Sequence, residues 1–125
     1  MARNYEEFRT NGKQMVDYIC DYVKNIDKKL VSPINIEPGF LAPLLPKEVP
    51  QFPESFKEVM NDFDKKIMPG VVHWNHPNFF AYFGNGNAYP SLLGDMLSTA
   101  IAGVGFSWVC SKACCHKKNL VSKVF

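Results

Sequence analysis

The sequence of 125 residues lacks any long uninterrupted run of apolar residues. A helix that spans a bilayer needs about 20 consecutive apolar residues, and the longest apolar stretches here are broken by Asp95 or by glycines. The first residues, Met1 to Glu7, are polar and do not contain the apolar core of a secretory signal. We therefore expect a cytoplasmic protein with no membrane partner.

A large excess of charge of one sign is also missing, and cysteine is scarce. The formal net charge is +2, which gives no reason to expect a nucleic-acid partner. Of the four cysteines, Cys20 falls in a helical pattern, and the other three crowd together near the end of the chain. Such spacing provides no disulfide framework, so reduced thiols of the cytosolic kind are expected.

Two groups of residues could in principle hold a metal ion. The first group consists of Cys110, Cys114, Cys115 and His116. Because adjacent cysteines rarely complete one tetrahedral zinc site, we interpret this group as part of an unstructured tail with exposed thiols. The second group, His73 and His76, lies in a proline-bounded loop without further ligands, and we interpret both as structural or solvent-facing. No metal site is predicted.

Apolar residues recur at helical spacing over residues 4–27, which predicts a first helix. Asn4 suits the N-cap position, and Glu6 and Glu7 place negative charge in the first turn, where the helix dipole favours it. The apolar stripe of this helix consists of Phe8, Met15, Ile19, Tyr22 and Ile26.

Two further helices are predicted. Ser55 and Glu58 have the spacing of a capping box and begin a helix over about residues 54–67. A third helix begins at about Pro90, a residue that the first helical turn accepts. Its apolar face consists of Leu92, Leu93, Met96, Leu97, Ala100, Ile101 and Val104.

The segments between these helices contain helix-breaking residues. Six prolines punctuate residues 32–53, which we interpret as an extended strap lying across an apolar surface. Residues 71–89 combine aromatic residues with glycines and asparagines, which is typical of a loop. The predicted fold class is therefore mainly α, with three helices joined by a proline-rich strap and an aromatic loop. Because such long connections are unusual in a compact domain, we expect these segments to pack on another chain or on further residues.

Several blocks of sequence closely resemble the aromatic-L-amino-acid decarboxylases, a family that includes the dopa, tyrosine and histidine decarboxylases. The similarity covers about residues 4–111. The matching blocks are Phe8 to Tyr18, Glu37 to Gly39, Leu44 to Pro46, Ile67 to Gly70, His73 to Pro77, Phe79 to Phe83, Tyr89 to Ser91, Gly94 to Leu97 and Gly105 to Trp108.

This resemblance implies a fold and an activity. The chain would be the N-terminal segment of an α/β enzyme with the aspartate-aminotransferase-like fold, also called fold type I of the pyridoxal-phosphate enzymes. The implied reaction converts tyrosine or dopa to the amine and carbon dioxide, with pyridoxal 5'-phosphate as the cofactor. The implied partners are the aromatic amino acid and a second subunit, which the N-terminal segment clasps in a homodimer.

The same resemblance implies a set of substrate-binding residues and no catalytic or cofactor-binding residue in this chain. The lysine and the phosphate loop that hold the cofactor lie in a part of the family's sequence that has no match here. The implied pocket residues are Trp74, Tyr82, Phe83, Asn85, Val104 and Phe106, of which Val104 and Phe106 reach across the dimer interface.

After Ser111 the resemblance stops, which predicts a region of residues 1–111 followed by a divergent, disordered tail of residues 112–125. We expect a truncated piece that is inactive alone. Three alternatives stay open: a non-catalytic module that dimerises with a full-length decarboxylase and modulates it, a fragment of an aromatic aldehyde synthase, or a fragment of a histidine decarboxylase.

Overall fold

The computed structural model describes residues 4–84, 86, 88–103 and 109. The chain divides into two compact units, Met1–Gly84 and Asn85–Phe125. Throughout the described residues the regular secondary structure is helical and contains no strand. The prediction of a mainly α chain is confirmed for this part of the sequence.

The first helix, α1, spans Tyr5–Lys24 and begins as predicted. The Asn4 side chain accepts a hydrogen bond of 3.1 Å from the backbone N–H of Glu7, which satisfies one of the free donors of the first turn. A 3-10 turn, Ile26–Lys28, follows the helix. Ile26 is the one buried hydrophobic residue among those described, so this unit has little apolar core.

The second helix, α2, spans Phe56–Asp62. Its capping box is complete, because the Ser55 side chain accepts from the Glu58 N–H while the Glu58 carboxylate accepts from the Ser55 N–H. The helical path then continues as a π-helical turn, Phe63–Ile67, and as a 3-10 turn, Met68–Gly70. The predicted segment of residues 54–67 is thus helical, but its second half has a wider turn than an α-helix.

The proline-rich segment contains a single 3-10 turn, Ala42–Leu44, and no other regular element. Its Phe40 ring lies against Gly70, where an added Cβ atom would collide with the ring. Other apolar side chains of the segment are exposed, among them Val49 at 88%. The interpretation of residues 32–53 as a strap across an apolar surface stays a prediction.

The second unit contains α3, which spans Tyr89–Ile101 with Pro90 in its first turn, as predicted. It ends at Ala102, whose left-handed backbone (φ 49°) lets its N–H bond the Ser98 carbonyl at 3.2 Å. The large apolar side chains that α3 exposes are Tyr89, Leu93, Met96, Leu97 and Ile101. None of the helices described combines the length and the hydropathy needed to cross a bilayer.

Candidate functional site

A hydrogen bond between side chains joins α1 to the loop that follows the second helical segment. The Tyr22 hydroxyl lies 2.7 Å from Nδ1 of His73, although the two residues are 51 positions apart. The backbone N–H of His73 donates to the Val31 carbonyl at 2.9 Å. His73 is 6% exposed, so it is buried and held through both its ring and its backbone.

Consecutive turns follow His73 and bring the chain back on itself. The His76 N–H donates to the His73 carbonyl at 3.0 Å, and the Phe79 N–H donates to the His76 carbonyl at 2.9 Å. Nδ1 of His76 accepts from the Asn78 N–H at 3.0 Å. The neutral ring then carries its proton on Nε2, a buried atom without a partner among the described residues.

These turns bring two aromatic rings against Trp74. The Trp74 ring stacks on Tyr82, with centroids 5.6 Å apart and planes 13° from parallel. The Phe79 ring lies 5.0 Å from Trp74 at a tilt of 33°. We call Trp74, Phe79 and Tyr82 the Trp74 stack. Tyr82 is 84% exposed, so the stack offers open, flat, apolar surface that can receive another aromatic ring.

The Tyr82 backbone has a left-handed conformation, with φ 55°. For a residue other than glycine this conformation costs about 1 kcal/mol, and it persists only where the surroundings enforce it. The stacking contact with Trp74 is one such constraint. Strained backbone of this kind is often found at ligand sites, which makes the Trp74 stack a candidate site.

Burial and the neighbouring charges favour a neutral His73 ring and a protonated Tyr22 hydroxyl. Burial lowers the pKa of His73, and electrostatic interaction with Lys29 and with the neighbouring His76 lowers it further. Burial also raises the pKa of Tyr22. Lys29 places its ammonium group 5.8 Å from the centre of the Tyr22 ring. At neutral pH, therefore, an uncharged imidazole meets a protonated phenol.

A second tyrosine joins α1 to the π-helical turn in a similar way. The Tyr18 hydroxyl donates to Oδ1 of Asp64 at 2.6 Å, and its ring meets Phe63 edge to face. Burial, together with the hydrogen bond and charge of Asp64, raises the pKa of Tyr18 to about 12. Tyr18 and Tyr22 lie about one helical turn apart on α1, so each fixes a different part of the unit to this helix.

An open groove of about 550 Å3 runs beside α2. One of its carboxylates, Asp62, is paired with Lys66. The groove contains no residue of the Trp74 stack. Its lining is formed by Leu44, Leu45, Pro46, Glu48, Pro50, Glu54, Asp62 and Lys66. In the described part of the chain, no cluster of three or more metal-ligating side chains occurs.

The structure brings together two of the predicted pocket residues, Trp74 and Tyr82. Phe83 is 94% exposed and takes part in none of the ring pairs found among the described residues. The other three predicted residues, Asn85, Val104 and Phe106, lie outside the described residues. Their roles stay predictions, as do those of the first three.

Sequence reasoning missed the bond between Tyr22 and His73. It placed Tyr22 on the apolar stripe of the first helix and interpreted His73 as structural or solvent-facing. One signal was available, because a tyrosine on a buried face needs a partner for its hydroxyl. Helical periodicity cannot identify that partner, which here comes from a loop distant in sequence.

Comparisons with known proteins place these features in a family. The family model described as "Pyridoxal-dependent decarboxylase conserved domain" matches residues 38–124. This range extends beyond Ser111, the last residue before the predicted tail. The position of that boundary stays a prediction. The chain is 51% identical over 118 residues to the aromatic-L-amino-acid decarboxylase of Cavia porcellus, covering 94% of this chain and 24% of that protein.

The names of two further relatives also refer to aromatic compounds. The 3,4-dihydroxyphenylacetaldehyde synthase of Drosophila melanogaster is 47% identical over 116 residues, which is 93% of this chain and 22% of that protein. The crystal structure of Catharanthus roseus tryptophan decarboxylase with L-tryptophan superimposes with a TM-score of 0.83 at 42% identity, covering 90% of this chain and 23% of that one. The chain thus spans about a quarter of the length of these relatives.

Proposed function

Because the chain belongs to the pyridoxal-dependent decarboxylase family, we propose that it serves in the decarboxylation of an aromatic L-amino acid such as tyrosine or dopa, to give an amine. The observation that carries this proposal is the Trp74 stack, an open flat surface formed by Trp74, Phe79 and Tyr82. Contacts between aromatic rings contribute about 0.5–1.5 kcal/mol beyond the burial of apolar area, enough to favour a substrate with an aromatic side chain.

In this proposal the chain supplies one wall of the substrate pocket. Trp74 and Tyr82 contact the substrate ring, and Phe83, which is exposed beside them, turns toward the ring when the pocket is complete. The predicted contributions of Asn85, Val104 and Phe106 belong to the same proposal. So do a cytoplasmic location and a homodimer in which the N-terminal segment clasps the second subunit.

The described residues do not by themselves fit pyridoxal phosphate. That cofactor needs a lysine for its imine, an acidic partner for its ring nitrogen and several donors for its phosphate. The lysines with described contacts are engaged with residues outside the Trp74 stack: Lys28 bonds Asn25, Lys29 lies over the Tyr22 ring, and Lys66 pairs with Asp62. We therefore expect no turnover by this chain alone.

A chimera tests the proposed function. The 118 matched residues of the Cavia porcellus decarboxylase would be replaced by the corresponding residues of this chain, and release of carbon dioxide from tyrosine, dopa and tryptophan would be measured. Trp74→Ala should lower kcat/KM by about tenfold, as expected from the loss of roughly 1.4 kcal/mol of ring contact.

Phe80→Ala is the control, because Phe80 is a large aromatic residue of the same loop, 89% exposed, that belongs to none of the described ring pairs. It should change kcat/KM by less than about twofold, since an exposed side chain without ring contacts contributes little. An active chimera in which Trp74→Ala and Phe80→Ala have equal effects would count against a pocket role for the stack. A chimera without activity toward any of the three amino acids would count against the aromatic substrate.

The similarity to the Drosophila melanogaster synthase supports a second candidate, the production of an aromatic aldehyde. The same chimera does not decide this point, because the remaining residues come from a decarboxylase. It is decided by purifying the protein that carries this sequence from its natural source and identifying its product from dopa. An amine supports decarboxylation alone, whereas an aldehyde supports the synthase reaction.

A third candidate is a non-catalytic module that dimerises with a full-length decarboxylase. The exposed apolar side chains on α1, Tyr5 and Phe8, favour it because such a face needs a partner. Co-expression with a tagged full-length decarboxylase should then recover both chains in one complex. Recovery of the tagged enzyme alone at micromolar concentrations would exclude the module.

A further inference from the structure

We propose that Tyr22 is a positioning residue that holds the Trp74 stack in place through His73. This inference rests on the proposed function of the stack as a substrate surface, and it deepens that function by assigning a residue of α1 to it. Tyr22 lies outside the stack, so it would act on the substrate only through the residues between them.

The first step of the argument is the attachment of His73 to α1. Tyr22 provides the hydrogen bond to the His73 ring, at 2.7 Å, and also a tilted ring contact with centroids 5.5 Å apart. The Val31 carbonyl fixes the His73 backbone but leaves the side-chain torsions free. Among the described contacts, the orientation of the His73 ring therefore depends on the Tyr22 hydroxyl.

The second step leads from His73 to the stack. His73 and Trp74 are adjacent in the chain, so a rotation of the His73 backbone moves the Trp74 ring directly. The His73 carbonyl also accepts the first hydrogen bond of the turns that return Phe79 to the face of Trp74. A shift at His73 consequently disturbs both the Trp74 ring and the Phe79 ring beside it.

The third step is that the chain offers a matched comparison. Tyr18→Phe and Tyr22→Phe each remove one hydroxyl from α1 and keep the ring, so each removes one hydrogen bond, to Asp64 or to His73. Phenylalanine at position 22 also keeps a ring beneath Lys29. A general loosening of α1 would follow from either change, whereas only Tyr22→Phe touches the residue next to Trp74.

The experiment records the near-ultraviolet circular dichroism of the full 125-residue chain. The sequence has two tryptophans, so all variants carry Trp108→Phe to leave Trp74 as the single indole. Coupling of nearly parallel Trp74 and Tyr82 rings should give a distinct band. Tyr22→Phe should reduce this band by roughly half or more, while Tyr18→Phe leaves it unchanged. Equal reductions in the two variants, or no reduction in Tyr22→Phe, would overturn the proposal.

Two substitutions of His73 keep the test decisive if Tyr22→Phe does not fold. Asparagine places its side-chain oxygen near the position of Nδ1 and can still accept from the Tyr22 hydroxyl, whereas glutamine places its polar atoms nearer the position of Nε2. His73→Asn should therefore retain more of the band than His73→Gln. The reverse order, with both variants showing the helical signal of the parent chain, would contradict the proposal.

Titration with dopa separates this inference from the proposed function. If the parent chain shows the band and Tyr22→Phe loses it, the positioning role stands even when dopa leaves Trp74 fluorescence unchanged, a result that would count against the substrate surface. If dopa quenches Trp74 fluorescence equally in the parent chain and in Tyr22→Phe, the substrate surface stands and the positioning role fails.

Discussion

Two irregular segments of the first unit, residues 32–53 and residues 71–84, are held in different ways. The first has apolar side chains such as Val49 that project into solvent, and its described contacts are few. The second has two buried histidines, His73 and His76, which bond the α1 tyrosine and the loop backbone. The comparison teaches that directional hydrogen bonds can fix a loop whose large apolar side chains are mostly exposed.

The largest expected effect separates the two segments directly. His73→Ala should lower the free energy of unfolding by about 2 kcal/mol, because it removes a hydrogen bond and leaves the Tyr22 hydroxyl without its partner. Val49→Ala should change it by less than about 0.5 kcal/mol, since its side chain is exposed. Urea unfolding followed by helical circular dichroism measures both. Equal effects would show that the two segments are held alike.

A smaller effect concerns the point where the proline-rich segment meets the turn after α2. Gly70→Ala should destabilise the unit by about 1 kcal/mol, because the new Cβ collides with Phe40 and forces its ring away. Gly12→Ala is the matched control within α1, where a Cβ has nothing within 4 Å. It should stabilise the chain by about 0.8 kcal/mol through helix propensity. Thermal unfolding of both variants tests whether this contact holds the segment.

The smallest effect is a dependence of stability on pH. Because burial lowers the pKa of His73, the unfolded chain binds a proton at this residue more readily than the folded chain does. Stability is then constant above the ordinary value of 6.5 and declines as the pH falls below it. His73→Asn should remove this decline. A decline that persists in His73→Asn at pH 5 to 6.5 would assign it to another group.

A separate decline is expected at lower pH and provides an internal reference. The hydrogen bonds from Ser55 lower the pKa of Glu58 below its ordinary value of 4.5. The stability that these bonds contribute is therefore present above pH 4.5 and is lost as the pH falls below that value. This decline should survive in His73→Asn. Its disappearance together with the first would mean that the capping box of α2 depends on the His73 loop.

Local signals in the sequence were sufficient to predict the helices and their beginnings. Asn4 and the pair Ser55 and Glu58 cap α1 and α2 as expected, because capping depends on residues three positions apart. The π-helical turn Phe63–Ile67 was not predicted. Its apolar residues also suit a regular helix, and two of its residues, Phe63 and Asp64, contact Tyr18 of α1, a meeting of distant segments that the local sequence does not record.

The candidate site was predictable in part for the same reason. Residues 71–89 showed a local concentration of aromatic residues, and the family resemblance implied Trp74 and Tyr82 as pocket residues, which the structure stacks on each other. The burial of His76 and the pairing of Tyr22 with His73 were not visible. Both depend on which distant segments meet, and a single sequence contains no direct record of that.

The left-handed backbone of Tyr82 has a consequence for the path of the chain. Residues that adopt this conformation at little cost, glycine and asparagine, have no ring to stack on Trp74. Position 82 therefore places opposite requirements on its backbone and its side chain. Without the Trp74 ring, the Tyr82 backbone would relax to an ordinary conformation, and the following residues would leave the loop in a different direction. The indole thus restrains the backbone at position 82 as well as the shape of a surface.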